Sequence, residues 1–481
     1  MADSLKDKAI KGTLWSSLER FSVQGMQFVV MLLIARILGP KNYGLIGMLM
    51  IFIALSRSLT DSGFGQALIR KENNTDADRN TVFYFNLVVS CSLYVLLFAI
   101  APLVADFYNE PQLVSVMRVY CLVVIIDSLA IIQRSILTYH IDFKTQMKAS
   151  VAATIVSSAV ALIMAYKGFG VWALVGQQLS SAVINTLTLW LYSKWRPSLL
   201  YSWKSFHELF SFGSKLMISG VINTVYSNLY ALVVGKVFNA TTLGFYTRAQ
   251  HYSEFPSSNV TSVLQRVTYP VLCKMKDDTE RLRTNYRRML RVSAFVVFPL
   301  MCGMAGAAYP LVEVLLGHKW HYAATLLIPI SFSMMWYPVH SLNLNLLQVK
   351  GRSDLFLKLE IIKKLIGVTI LAISVPFGLL FMCYTKIFSA LISLFINTYY
   401  TGKLIQVGFF RQLGDLSKTL VTSLCMFAIV FGINHYIDSY LVQLIADIIV
   451  GAVFYIGVAF VFKFEEVDYL KSILKKDETT R

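Results

Sequence analysis

Residues 33–44 read Leu33-Ile34-Ala35-Arg36-Ile37-Leu38-Gly39-Pro40-Lys41-Asn42-Tyr43-Gly44. Proline cannot continue a helix and glycine tolerates unusual backbone angles, so Gly39-Pro40 ends one helix at Leu38 and turns the chain. Gly44 then starts the next helix at close quarters. A similar passage follows about 200–210 residues later, and self-similarity at a fixed offset signals a repeated unit. Ala35-Arg36-Ile37-Leu38, with Gly44 downstream, lines up with Gly235-Lys236-Val237-Phe238 and Gly244. Pro102-Leu103-Val104 recurs as Pro310-Leu311-Val312, Lys148 lines up with Lys358, and Phe169-Gly170 with Phe377-Gly378. Their order and near-constant offset argue against coincidence.

Between these landmarks the chain is overwhelmingly apolar. Of 481 residues 56% are hydrophobic and 15% charged, against about 25% charged in ordinary soluble proteins. A bilayer core needs about 20 apolar helical residues to cross it, and such segments recur from end to end. We read fourteen of them, at roughly 12–36, 42–60, 80–104, 113–134, 146–166, 168–192, 208–236, 240–266, 290–309, 322–348, 359–375, 377–402, 418–435 and 440–462. The N-terminus lacks the cleavage pattern of a signal peptide, so the first span is expected to be retained. The six cysteines are scattered without C-x-x-C spacing, which predicts neither a disulfide framework nor a metal site.

The net charge of +17 follows from topology. An even number of spans puts both termini on one side, and the basic residues cluster there: Lys6, Lys8, Lys11, Arg70, Lys71, Arg79, Arg134, Lys144, Lys148, Lys194, Arg196 and the run from Lys274 to Arg291. Opposite loops carry little beyond Arg36, Lys41, Lys167, Lys236 and Lys319. By the positive-inside rule both termini are expected in the cytoplasm; nucleic acid is not an expected partner. The expected architecture is all-α and integral to the membrane. It has about fourteen transmembrane helices in two parallel six-helix repeats around a central cavity, plus two C-terminal helices. The boundaries are 1–206, 207–403 and 404–481. Parallel repeats of this kind occur in transporters, with the substrate site between the halves.

The motif at residues 33–44 resembles a signature of the bacterial polysaccharide transporters, the O-antigen and capsule flippase family of the multidrug/oligosaccharidyl-lipid/polysaccharide exporter superfamily. The run Asp61-Ser62-Gly63-Phe64-Gly65-Gln66-Ala67-Leu68-Ile69-Arg70 is similar to the exit of that family's second span, and Gly12 and Trp15 stand where the family places them. The resemblance implies a multi-pass flippase of the bacterial cytoplasmic membrane. It would take an undecaprenyl-diphosphate-linked oligosaccharide at the cytoplasmic face and release it outward by alternating access. Expected partners are that lipid-linked sugar, membrane lipids and other polysaccharide-assembly proteins. No cofactor is expected; Na⁺ or H⁺ is the expected coupling ion.

Ionisable groups inside spans are costly against lipid and usually face a cavity or a partner. Thr13, Ser16, Arg20, Gln24 and Gln27 recur at helical spacing in the first span, as do Lys215, Ser219, Asn223, Tyr226 and Tyr230 in the seventh. Lys386, Ser389, Ser393 and Asn397 do so in the twelfth, and Arg248, Gln250, His251, Tyr252 and Glu254 crowd the eighth ahead of a kink expected at Pro256. A diphosphate needs cations and sugars need amide, hydroxyl and aromatic partners. The candidate substrate contacts are therefore Arg20, Gln24, Gln27, Lys215, Asn223, Tyr226, Arg248, His251 and Lys386. Each basic residue has a structural alternative, pairing with a carboxylate or snorkelling to an interface; for Arg118 snorkelling is preferred. Glu19, Asp61 and Glu254 are candidate ion-coupling residues, with Asp127 and Asp447 also embedded. Arg57 and Asp61, four apart, read as a local ion pair.

Several signals are missing. No Walker loop, H-E-x-x-H, nucleophile elbow or exposed pair of catalytic carboxylates occurs, so no enzyme is expected. His318 and His321 flank Trp320 on an outward loop, a weak metal pair or, preferably, an interfacial belt. Tyr201 to Phe206 is expected to lie along the headgroups as a hinge between halves. Two alternatives stand beside the flippase. A cation-coupled multidrug exporter would need acidic groups where this chain is at least as basic. An envelope-polysaccharide enzyme would need an external catalytic loop.

Overall fold

The computed structural model describes residue 15 and residues 22–61, 63–71 and 74–467. Among these every regular element is helical. The first helix, α1 (Ser22–Leu38), stops at Gly39, which takes a left-handed φ of 72°. Pro40 opens α2 (Pro40–Asp61), where its missing N–H is one of those a helix start leaves without an acceptor anyway. Asn42 Nδ2 donates to the Leu38 carbonyl at 2.6 Å, covering an open acceptor at the end of α1.

The chain continues through α3 (Phe64–Arg70), α4 (Asp76–Tyr108), α5 (Leu113–Tyr120), α6 (Leu122–Ser128), α7 (Ile131–Tyr139), α8 (Phe143–Tyr166), α9 (Val171–Tyr192) and α10 (Trp203–Val237). It then forms α11 (Ala240–Cys273), α12 (Thr279–Gly306), α13 (Ala308–Leu315), a 3₁₀ turn (His318–Trp320), α14 (His321–Met334), α15 (Tyr337–Val349) and α16 (Ser353–Ser374). The last three are α17 (Leu379–Ile405), α18 (Phe409–Ile433) and α19 (Tyr440–Val461). Local chemistry accounts for the starts. Thr75 and Asp78 form a capping box on α4, and Asp142, Ser202 and Asp278 accept from the first turns of α8, α10 and α12. The helix of α11 runs through Pro256.

Ten helical stretches among the described residues are long and apolar enough to cross a membrane; α1 is shorter, and α9, α11 and α16 are not among the ten. The surface agrees with a lipid setting. On α19, Ile445, Ile448, Ile449, Val453, Ile456 and Phe460 are all exposed, an apolar stripe that water would penalise and hydrocarbon would not. Helix starts at residues 40, 76, 143 and 171 have counterparts at 240, 279, 353 and 379.

Packing gathers the chain into two units, residues 1–244 and 245–481. In the first, α8 and α9 form a tight hairpin and α2 lies along α10. A cluster of rings (Phe64, Phe83, Phe85, Phe206 and Phe210) fills the space between α3, α4 and α10, so Phe206 sits in a core while Tyr201 and Trp203 remain exposed. In the second unit α12 packs on α18 and α14 on α17, around Tyr286, Phe298, Met301 and Trp336.

Candidate substrate-contacting sites

In the first unit, α8 carries Ser150, Ala153 and Thr154 on one face, and α9 carries Gln178, Ser181, Ala182 and Asn185 opposite it. With Gln27, Arg57 and Asp127 these residues line a cavity of ≈ 200 Å³. A neighbouring cavity of ≈ 350 Å³ shares Ser150 and Asn185 and adds Arg134, Gln146 and Leu189. Among the described residues of the larger cavity's lining, Arg134 is the one that carries a charge.

Arg57 is paired across the unit. Its Nε donates to Asp127 Oδ2 at 3.0 Å and its Nη2 lies 2.9 Å from the same oxygen. The expected local pair with Asp61 is therefore replaced by a contact between α2 and α6. Asp61 itself is exposed at the end of α2 and lies within electrostatic reach of Arg134.

The second unit holds a different cationic centre. Lys386 on α17 donates from Nζ to Tyr246 Oη and to Gln250 Oε1, each at 2.6 Å, and lies 4.8 Å from the Tyr246 ring centre. Tyr246 and Gln250 are four apart on α11, so one helical face presents both acceptors. A half-buried ammonium needs such acceptors to offset its lost hydration. The Glu254 carboxylate, one further turn along α11, acts electrostatically on both Lys386 and Tyr337. Ser333 Oγ donates to the Lys386 carbonyl at 3.2 Å and ties α14 to α17.

The remaining expected residues are scattered. Gln27 lines the smaller cavity of the first unit, while Gln24 is half-buried and not in its lining. Glu19 and Arg20 lie outside the described residues. Lys215 and Asn223 are exposed on α10, Tyr226 is half-buried there, and none of the three lines either cavity. On α11 Arg248 is half-buried, with His251 and Glu254 exposed. The stripe of the twelfth span divides: Lys386 meets Tyr246, but Asn397 is buried in the core beside His340, 3.3 Å away. Of the embedded carboxylates, Asp447 accepts from Asn434 at 3.1 Å. Arg118 lies 4.2 Å over the Phe98 ring. The belt expected at residues 318–321 is corrected, because Trp320 is fully buried and both histidines turn onto Glu313.

A family described as polysaccharide biosynthesis protein matches residues 33–325. The chain belongs to that family. Among its relatives, the teichuronic acid biosynthesis protein TuaB of Bacillus subtilis is 22% identical over 94% of this chain and 95% of its own. The lipopolysaccharide biosynthesis protein WzxC of Escherichia coli is 25% identical over 75% of this chain and 74% of its own. The succinoglycan biosynthesis transport protein ExoT of Rhizobium meliloti is 24% identical over 64% and 63%. The fold is that of the lipid II flippase MurJ in its inward closed conformation, at a TM-score of 0.74 and 14% identity over 95% of this chain and all of that one. An inward-facing multidrug resistance transporter of the MATE family superposes at 0.60 and 16% identity, over 82% of this chain and 99% of its own. Of these, ExoT is by name a transport protein, and the two structural neighbours are a flippase and a transporter. With ten helical stretches among the described residues long and apolar enough to cross a membrane, this family member is read as a multi-pass membrane protein.

Reading the sequence missed Arg134, Gln178, Asn185 and Tyr246 as candidate site residues. A signal existed for three of them. Gln178, Ser181 and Asn185 form a polar stripe at helical spacing on α9, and Tyr246 stands one turn before Gln250. Arg134 was hidden among loop cations, because charge counting along a chain cannot tell a topology signal from a cavity wall.

Proposed function

We propose that this protein flips an undecaprenyl-diphosphate-linked oligosaccharide, the repeat unit of an O-antigen, capsule or exopolysaccharide, from the cytoplasmic to the outer face of a bacterial inner membrane. The observation that carries this reading is the Arg134 cavity, a polar chamber whose lining, among the described residues, has a cation and no carboxylate. A diphosphate is a dianion or more, and a guanidinium opposite amide and hydroxyl groups is the donor set that would hold it. Asn185, Gln146 and Ser150 offer hydrogen bonds suited to the first sugar. Lys386, held by Tyr246 and Gln250, supplies a second cation in the other unit. A multidrug exporter for cationic compounds would need the opposite sign at these places.

In this proposal the chain crosses the membrane fourteen times with both termini cytoplasmic. Residues 1–206 and 207–403 are two copies of a six-helix unit, and 404–481 is an addition. The matching helix starts support the duplication. Transport proceeds by alternating access and is coupled to Na⁺ or H⁺ through Asp61, Glu254 or Glu19. Arg20, Gln24, Gln27, Lys215, Asn223, Tyr226, Arg248 and His251 remain candidate contacts along the route, and other polysaccharide-assembly proteins are candidate partners.

The test is reconstitution of the full chain in liposomes with an undecaprenyl-diphosphate oligosaccharide, measuring its transbilayer movement. Wild type should move it. Arg134→Gln and Lys386→Met should both slow the movement while eluting as folded protein. Movement undiminished in both variants would remove the cationic-cavity account. A wild type that moves a cationic dye and not the lipid-linked sugar would favour the drug-exporter reading.

A further inference from the structure

The turn between α13 and α14 assembles three side chains that the transport reading does not use. Glu313, His318 and His321 bring one ligand atom each to within 4.8 Å of one another. Glu313 Oε1 lies 3.2 Å from His318 Nδ1 and 2.6 Å from His321 Nδ1. The carboxylate is buried, with 5% of its side chain exposed, while the histidines are 86% and 46% exposed. A carboxylate withdrawn from water needs compensation by positive charge or by strong donors, and two imidazoles face its single inner oxygen.

The backbone sets this up. Gly317, at φ 86°, turns the chain out of α13. The three residues that follow form a 3₁₀ turn, in which side chains three apart eclipse one another. His318 and His321 are three apart, and their ring centres stand 5.5 Å from each other. Trp320 between them is fully buried and meets Phe245 edge-on at 6.1 Å, which anchors the turn. Tyr309 closes one side, its ring 5.2 Å from His321 and its hydroxyl 3.2 Å from Thr325 Oγ1.

We propose that Glu313, His318 and His321 bind a divalent transition metal ion, Zn²⁺ being the best fit. Two imidazoles and one carboxylate are a three-ligand zinc set that leaves a fourth position for water. Metal–ligand bonds of about 2.0–2.1 Å place neighbouring donors of a tetrahedron about 3.3 Å apart. The His318 contact, at 3.2 Å, already has about that length, and the His321 contact, at 2.6 Å, opens by about 0.7 Å to reach it. Mg²⁺ and Ca²⁺ prefer oxygen ligands throughout and would be poorly served by two ring nitrogens. The bound ion would join the end of α13 to the start of α14 and hold the turn rigid.

The experiment uses the purified full-length chain in detergent, titrated with Co²⁺ as a spectroscopic stand-in and then with Zn²⁺. The expected result is one tetrahedral Co²⁺ absorption band per chain, displaced by Zn²⁺ and untouched by excess Mg²⁺. His318→Gln alters an exposed side chain and so should leave folding intact. It should weaken binding by at least the roughly 10–100-fold that loss of an outer-shell partner costs, and Glu313→Gln should do the same. Absence of the band, or equal Co²⁺ affinity in wild type and both variants, would overturn the proposal.

Discussion

A methyl group built on Gly44 would fall 1.6 Å from the carbonyl oxygen of Ala240. The relationship is reciprocal, since one on Gly244 would fall 2.0 Å from the carbonyl oxygen of Pro40. The starts of α2 and α11 thus touch backbone to backbone, each glycine facing the first residue of the other helix. Gly44→Ala and Gly244→Ala should each cost at least the upper end of the roughly 1–3 kcal/mol that overpacking brings, because backbone cannot rotate away as a side chain can. Gly432 on α18 has nothing within 4 Å of such a methyl. There the same change should gain about 0.5–1 kcal/mol from helix propensity. Thermal unfolding of the three variants in detergent decides the matter; equal midpoints would mean the close approach is not a constraint.

The Lys386 clasp predicts a separation of function from folding. Lys386→Met preserves length and apolar contact, so it should leave the unfolding temperature near that of wild type while reducing transport. A charge-assisted contact is worth about 1.5–3 kcal/mol, or roughly tenfold to a hundredfold in transport rate at limiting substrate. Tyr246→Phe removes one acceptor and should give a smaller loss. A collapse of stability in Lys386→Met would instead make the lysine a structural strut.

Arg57 and Asp127 are a long-range pair in a partly open cavity, with side chains 48% and 32% exposed. Solvent screening limits such a pair to about 0.2–1 kcal/mol. A double-mutant cycle with Arg57→Gln and Asp127→Asn should return a coupling of that size. The same cycle with Asp61→Asn should return none, and the reverse ranking would contradict the geometry.

In the second unit Asn343 and Gln412 exchange two hydrogen bonds of 2.9 Å, and Thr401 donates to Asn343 at 2.7 Å. All three side chains are fully buried. Asn343→Leu strands the Gln412 Oε1 acceptor, while Gln412 Nε2 keeps its 3.0 Å bond to the Val407 carbonyl, and should cost about 1–3 kcal/mol for the polar group left without a partner. Asn343→Leu with Gln412→Leu should cost less than the two single changes added together. Strict additivity in chemical unfolding would show that the pair is not coupled.

Much of the architecture can be read from residues close together in the chain. Apolar run length marks the spans, and Gly39-Pro40, Thr75 with Asp78, and Asp142 set helix ends through contacts within a few residues. Gly44, eight residues after Arg36, and Gly244, eight after Lys236, point within the sequence to a duplicated unit. The candidate sites are less legible. Lys386 and Gln250 stand out as polar groups in apolar helices, but Arg134 looks like one more loop cation and Glu313 like an ordinary acid near the end of a span.

Sequence alone settles that this chain is helical, lives in a membrane and breaks its helices where it does, because hydropathy and backbone propensity act locally. It does not settle which polar faces meet. Arg57 passes over Asp61 for Asp127, 70 residues away, and Lys386 finds Tyr246 across 140 residues. Those choices depend on how far each helix is rotated about its own axis. That rotation is set by the packing of the surrounding helices, from Phe64 and Phe206 in one unit to Trp336 in the other, and tertiary structure alone decides it.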